Sequence, residues 1–193
     1  MPAPKILVFA GSTRTGSYNV KLAALAAKEL TLADVDVTQI SLADYPLPLY
    51  DADLDARAGQ PANALRLKQM IMAHQGVFIA SAEYSASVTP LLKNAIDWVS
   101  RVREKGDPTY AAFKNRVFAI GAVTTGPSGG QRSLIALRQI LELGCGALVI
   151  PQQVSIPNAT QAFDEMDNII DTGINNFFRD ELDRLVEMAR LMM

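Results

Sequence analysis

The segment Ile6-Leu7-Val8-Phe9-Ala10 runs without a polar interruption into Gly11-Ser12-Thr13-Arg14-Thr15-Gly16-Ser17-Tyr18-Asn19, and from there into residues with helical spacing. A short continuous apolar run is the mark of a strand covered on both faces, the condition of strands in parallel sheets. The chain leaving such a strand must turn at the edge of the sheet and start a helix. The first turn of that helix has backbone N–H groups without intrahelical partners. A loop rich in glycine and hydroxyls at this place presents those groups to an anion.

What the loop lacks narrows the anion. No Lys follows Gly16 in the pattern of a P-loop, and the spacing is not that of the dinucleotide fingerprint. A nucleoside triphosphate has no evident grip here. The loop offers instead the hydroxyls of Ser12, Thr13, Thr15 and Ser17, the amide of Asn19 and the guanidinium of Arg14. These donors suit a terminal phosphate monoester held without metal. Hydrogen bonds to charged groups contribute roughly 1.5–3 kcal/mol each, so three or four anchor a small cofactor. The competing reading is a polar turn in which Ser17 caps the helix.

The same alternation continues along the chain. Apolar runs of strand length recur at 5–9, 35–40, 76–81, 116–121 and 146–150, and segments of helical period fill 18–31, 61–74, 88–102, 131–143 and 174–192. Strands joined by crossover helices lie parallel and right-handed. The expected fold is therefore α/β, a three-layer α/β/α sandwich on a five-stranded parallel sheet of order 2-1-3-4-5, with residues 1–193 as one domain. Two irregular stretches, 42–60 and 151–163, are long enough to cover a site or an interface.

Of the 193 residues, 49% are hydrophobic, and the net charge of −2 gives no basic footprint for nucleic acid. No apolar run reaches the length of a membrane span and Met1-Pro2-Ala3-Pro4 has no leader character, so a cytoplasmic protein is expected. The single cysteine, Cys145, sits at a helix-to-strand turn with no basic neighbours to activate it and reads as core packing. His74, the single histidine, has no carboxylate or second ligand in register. The methionines 70, 72, 188, 192 and 193 read as helix packing.

In an open α/β sheet, ligands sit outside the C-terminal strand ends where the strand order reverses, here between the first and third strands. The loops after strands one, three and four meet there. The second of these loops, Ala82-Glu83-Tyr84-Ser85-Ala86-Ser87-Val88-Thr89-Pro90, combines backbone donors with an aromatic ring and suits the polar edge of a flat heterocycle. The third, Thr124-Thr125-Gly126-Pro127-Ser128-Gly129-Gly130-Gln131-Arg132, has glycines that let backbone approach a ring. A phosphate grip beside two such loops describes a site for flavin mononucleotide (FMN). The alternatives are a helix start capped by Ser87 with Pro90 in its first turn, and a plain glycine turn. Arg132 and Arg138 read either as ordinary exposed helix charges or, for Arg132 at a helix start where it is unhelpful to the dipole, as a group facing an anion.

These residues resemble the NAD(P)H-dependent FMN reductase family, the flavodoxin-like group that includes chromate, quinone and azo-dye reductases. The resemblance rests on residues 11–19, on Glu83-Tyr84-Ser85-Ala86-Ser87-Val88-Thr89-Pro90-Leu91-Leu92-Lys93-Asn94-Ala95-Ile96-Asp97-Trp98, and on Gly129-Gly130-Gln131-Arg132. It implies that Ser12, Arg14, Ser17 and Asn19 hold the phosphate, with Gly11 and Tyr18 also in the cofactor site. It implies that the backbone of Glu83, Tyr84 and Ser85 meets the isoalloxazine ring, which Thr124 and Gly126 flank, with Ala82, Ser87 and Thr125 also in the cofactor site. Where the family usually has Pro-Glu-Tyr-Asn, this chain has Ala82-Glu83-Tyr84-Ser85, without the side-chain amide and with less stiffness.

The resemblance further implies FMN as cofactor, NADPH or NADH as co-substrate, and a ping-pong transfer to a quinone, chromate, azo compound or free flavin. Glu83 and Tyr84 would line the nicotinamide side, and no acid, base or nucleophile is indispensable because the flavin performs the hydride chemistry. A homodimer or homotetramer is also implied, formed through the helix carrying Lys93, Asp97, Trp98 and Arg101. Two other readings stay open from the residues: a flavodoxin-type electron carrier, and a non-catalytic nucleotide-binding or interaction protein on the same scaffold.

Overall fold

The computed structural model describes residues 3–193. In chain order its elements are β1 (Lys5–Ala10), α1 (Tyr18–Leu32), β2 (Asp36–Gln39), α2 (Ala52–Ala58), α3 (Ala62–Met72), β3 (Gly76–Ala80), β4 (Glu83–Tyr84) and β5 (Ser87–Val88). There follow α4 (Pro90–Arg101), β6 (Val117–Val123), α5 (Gln131–Arg138), β7 (Leu148–Val149), β8 (Ser155–Ile156), α6 (Ala159–Ala162) and α7 (Thr172–Leu191). The main sheet runs β2-β1-β3-β6-β7, all parallel, which is the expected 2-1-3-4-5.

Strand alternation divides the core. Ile6, Val8, Ala10, Phe78 and Ala119 pack beneath α1 and α7 with Leu22, Leu30, Phe178 and Leu185. Leu7, Phe9, Val77, Ile79 and Ile120 pack beneath α3, α4 and α5 with Leu67, Ile96 and Leu137. The sheet is covered on both faces, as continuous apolar strands require.

The irregular stretch 42–60 folds over the outside of α4. There it forms a small apolar cluster with Ala64, Trp98 and Val102, to which Leu47, Tyr50 and Leu54 contribute. Trp98 is fully buried, donates its indole N–H to the Pro48 carbonyl at 2.8 Å, and meets the Tyr50 ring edge-on at 5.0 Å. It is withdrawn from the face on which the sequence placed it as an interface anchor. The exposed ridge of α4 is instead a ladder of Lys93, Asp97 and Arg101. Nearby, the buried Lys68 of α3 pairs with Glu104 and Asp107 and fastens the loop after α4.

The expected fifth strand, 146–150, is shorter and split. β7 pairs with the lower half of β6 and β8 with its upper end, while Pro151, which has no N–H for the ladder, opens the gap between them. The helix expected over 131–143 ends as α5 at Arg138 and continues as a π-helical stretch, Gln139–Gly144. Across the gap in the fifth strand, Glu181 of α7 accepts the Val154 N–H at 2.7 Å, and its other oxygen has no partner among the described residues. Burial pushes this carboxyl up to about 8, against the Val154 N–H bond and the charge of Arg138. Cys145 is buried, as expected, and burial pushes its thiol up to about 11.

The second rim loop contains a hairpin the sequence did not reveal. β4 and β5 pair antiparallel through Glu83↔Val88 and Tyr84↔Ser87, leaving Ser85 and Ala86 as a two-residue turn. Both have positive φ, 48° and 61°, the signature of a type I′ turn, where Asn-Gly is the favoured pair.

Two outcomes follow from these features. A left-handed non-glycine residue costs roughly 1–2 kcal/mol, so Ala86→Gly should stabilise the protein by about 1 kcal/mol after its chain-entropy cost, raising Tm by about 2–4 °C. An unchanged or lower Tm in calorimetry would show an unstrained turn. For Glu181, the native state holds a proton that the unfolded chain, with an ordinary carboxyl near 4.5, has released. Its contribution is complete below that value and is lost as pH rises toward 8. His74, whose imidazole burial lowers, acts in the opposite sense and only below its ordinary 6.5. Between pH 7 and 8 the free energy of urea unfolding should therefore fall by about 1 kcal/mol, and the fall should vanish in Glu181→Gln.

Candidate active site

Three loops leave the C-terminal ends of β1, β3 and β6, and three side chains lock them to one another. Thr89, at the N-cap of α4, donates its hydroxyl to the Gly11 carbonyl at 2.5 Å and accepts the Leu92 N–H at 3.2 Å. Thr89, not Ser87, caps this helix, with Pro90 at its first position. Asn19 donates its amide to the Val123 carbonyl at 2.9 Å and accepts the Val123 N–H at 3.0 Å. Glu83 takes the Arg132 Nε–H at 3.0 Å and a second guanidinium donor on one oxygen, and the Ser133 N–H at 3.2 Å on the other. First loop to second, first to third and second to third, the rim is closed.

The locks leave donors over. In the first loop the N–H groups of Ser12, Thr13, Thr15, Gly16, Tyr18 and Val20 donate to no acceptor among the described residues. Ser17 occupies the N-cap of α1, yet its buried hydroxyl caps nothing. Arg14 donates to the Thr15 and Gly16 carbonyls at 3.1 and 3.2 Å and so occupies acceptors in a loop that keeps its donors. This is a nest of N–H groups at a helix N-terminus beside a cation, and it fits the phosphate of FMN.

Beside it opens a cleft of about 360 Å³ lined by Gly11, Ser12, Thr13 and Arg14 from the first loop and Tyr84, Thr89, Pro90 and Leu91 from the second. That volume is within the range of small-molecule sites. A groove of about 330 Å³ between α1 and α7, lined by Glu29 and Arg179 among others, lies at the opposite end of α1. Carbonyl ends of a helix repel a phosphate, so that groove is not its place.

The third loop rests on β8: the Thr124 N–H meets the Ile156 carbonyl at 3.1 Å, and the Asn158 N–H meets the Gly126 carbonyl at 3.3 Å. Thr125 and Gly126 keep N–H groups without an acceptor among the described residues, and Gly126 faces open space on its side-chain side. Gly129 and Gly130 differ. Both have positive φ, and a Cβ would collide with the Ser155 hydroxyl at the first and with Ala122, at 2.6 Å, at the second. They shape the turn and its packing, and only Gly126 is placed to admit a ring.

The structure thus brings Gly11, Ser12, Arg14 and Tyr84 to one cleft, with Ser17 at the adjoining N-cap of α1. Ser85 and Ser87 lie on the hairpin, and Thr124, Thr125 and Gly126 on the adjoining loop. Ala82 is buried, and Tyr18 turns its ring toward Phe163, stacked at 6.3 Å. Asn19 and Glu83 direct their side chains to the rim's own backbone, and the anion that Arg132 meets is Glu83. Sequence reasoning missed Thr89, although Thr89-Pro90 is a recognisable helix start.

Comparison with known proteins agrees with this geometry. The family model for NADPH-dependent FMN reductase matches residues 4–161. An NAD(P)H-dependent FMN reductase of Pseudomonas aeruginosa is 32% identical over 182 residues, 94% of this chain and 92% of that protein. A quinone reductase of Escherichia coli is 36% identical over 138 residues, 71% of this chain and 69% of that protein. Among solved structures, the flavoenzyme NAD(P)H:(acceptor) oxidoreductase FerB of Paracoccus denitrificans superposes with a TM-score of 0.77 at 27% identity, covering 98% of each chain. With the rim loops, the sheet order and the matched sequence in agreement, the chain belongs to the NADPH-dependent FMN reductase family.

Proposed function

We propose that this protein is an FMN-dependent NAD(P)H oxidoreductase that delivers electrons to quinones or to flavin. The observation that carries the reading is the first loop, where unpartnered N–H groups, an uncommitted buried hydroxyl at Ser17 and the Arg14 guanidinium converge at the start of α1. Family membership and relatives named as FMN and quinone reductases support it.

Ser12, Arg14, Ser17 and the loop amides would hold the phosphate. The backbone of the Glu83–Ser85 hairpin and of Thr124–Gly126 would hold the ring. When bound, FMN would supply the hydride chemistry between nicotinamide and acceptor. The protein's own residues position and shield. Pro90 and Leu91 give the cleft an apolar wall that excludes water, and the exposed Tyr84 offers a flat surface beside it. Glu83 is engaged by Arg132 and Ser133, so it holds the hairpin in place and presents no free base to a substrate. An open cleft of this kind sets few demands on the acceptor's shape, which accords with quinones and flavin alike.

Purified protein loaded with FMN should lose its yellow colour within seconds on anaerobic addition of NADPH or NADH and regain it on addition of a benzoquinone. Arg14→Ala and Ser17→Ala should each weaken FMN binding about tenfold, the loss of one charged hydrogen bond, as read by quenching of flavin fluorescence. A preparation that takes up no FMN, or variants that bind it as tightly as the parent, would overturn the assignment.

A further inference from the structure

The gap in the fifth strand is held from both faces of the sheet. From α5, Arg138 donates to the Ile150 carbonyl at 2.9 Å and to Gln153 Oε1 at 3.1 Å, while its other terminal nitrogen pairs with Glu142 at 2.9 Å. From α7, Glu181, fully buried, accepts the Val154 N–H. Val154 in turn accepts the Ala122 N–H at 2.9 Å and lies against Gly121, where a Cβ would come within 2.6 Å of its side chain. The next residues carry the third rim loop. Ile156 receives the Thr124 N–H, Asn158 donates to Gly126, Ala159 donates to the Thr124 carbonyl at 3.0 Å, and the Ser155 hydroxyl reaches the Ser128 carbonyl at 3.3 Å. From a carboxyl inside the C-terminal helix to the loop that flanks the flavin ring, the path is one hydrogen bond and a few residues of paired backbone.

We propose that Glu181 is a positioning residue for the flavin site, holding the third rim loop in place through Val154 and β8. The inference rests on the flavin reading above for its functional meaning, and on the hydrogen bonds alone for its mechanical one. A buried carboxyl is a poor choice for mere packing. Glu181 Oε1 and Gln152 Oε1 are both buried polar atoms without a hydrogen-bond partner among the described residues, a cost of about 1–3 kcal/mol each that a leucine and an apolar neighbour would not incur.

The surroundings favour a neutral carboxyl. The core on its side of the sheet, with Val8, Phe78 and Ala119 from the strands and Leu22 and Ala26 from α1, is apolar. Of the charged groups nearby, Glu29 and Arg179 pair with each other, Arg184 pairs with Glu187, and Asp180 and Asp183 are exposed on α7. Arg138, already bonded to Glu142 and the strand gap, is the one cation whose charge reaches it. Ionisation near pH 8 places an uncompensated charge under the gap and loosens Val154, β8 and the loop that rests on them.

The test compares the parent, Glu181→Gln and Glu181→Leu, full-length and flavin-free, by hydrogen exchange at pH 7 and 9 corrected for intrinsic rates, and then titrates each with FMN. In the parent, the amides of Val154, Thr124 and Ala159 should lose protection at pH 9. The FMN dissociation constant should rise up to about tenfold, the fall in the protonated fraction across a midpoint near 8. Glu181→Gln, which keeps the acceptor and cannot ionise, should hold protection and affinity at both pH values, and Glu181→Leu should lose both at either pH. Parent-like pH dependence in Glu181→Gln, or full loop protection in Glu181→Leu, overturns the proposal. Should Glu181→Leu fail to fold, parent against Glu181→Gln still decides. If the parent exchanges as expected but takes up no FMN, the flavin reading fails while the mechanical link stands.

Discussion

The constraint on which this molecule turns is that parallel strands end together, and the loops that leave them carry more backbone donors than they can satisfy. Each β-to-α loop must start a helix whose first N–H groups have no carbonyl behind them. Here the surplus is managed by three short side chains, each of which reaches across to the backbone or helix start of a different loop: Thr89 to Gly11, Asn19 to Val123, Glu83 to Ser133. Since every pair of loops is tied, none moves alone. The ordering cost falls within folding and is not charged again when a ligand arrives, which is the physical content of a preorganised site.

The fold was legible because fully buried strands leave a plain signal. Five apolar runs separated by helical segments admit few arrangements, and the sheet has the expected order. What failed to show is local. Pro151 interrupts the fifth strand, and the two residues of β8 that resume it are too few to register as a period. Trp98 looked like a surface anchor because its helix carries charges at three- and four-residue spacings. The strap that covers it is built from Pro48, Tyr50 and Leu54, residues with no periodicity, and nothing in the helix itself announces a cover.

The site was legible as a set of residue types and less so as a set of roles. Glycines and hydroxyls after the first strand do mark a donor-rich loop. Which polar side chains face a ligand and which face the protein depends on backbone brought near by the fold, and the sequence does not display that. Asn19 finds Val123 from 104 residues away, and Glu83 finds Arg132 from 49. An amide that can donate and accept at once is well matched to both backbone groups of one residue, and the Asn19 side chain is bonded in this way to Val123. Glu181 had a weaker signal. It lies on α7 at helical spacing from the buried Phe178, Leu182, Leu185 and Ala189, a charged residue on an apolar stripe.

The pairing of Glu83 with Arg132 has a further consequence for the chemistry at the rim. As a surface ion pair it would contribute little, since the guanidinium is 61% exposed. Its carboxylate, however, is 7% exposed and also bonded at the N-terminus of α5, where a helix dipole favours negative charge. A bare carboxylate on the second loop would stand across the cleft from a phosphate bearing up to two negative charges, a repulsion on the order of 1 kcal/mol or more in a partly dry site. Neutralised where it stands, Glu83 can fasten the hairpin to the third loop without opposing an anion at the first. The acid is therefore compatible with an anion site on the first loop because of what it is bonded to.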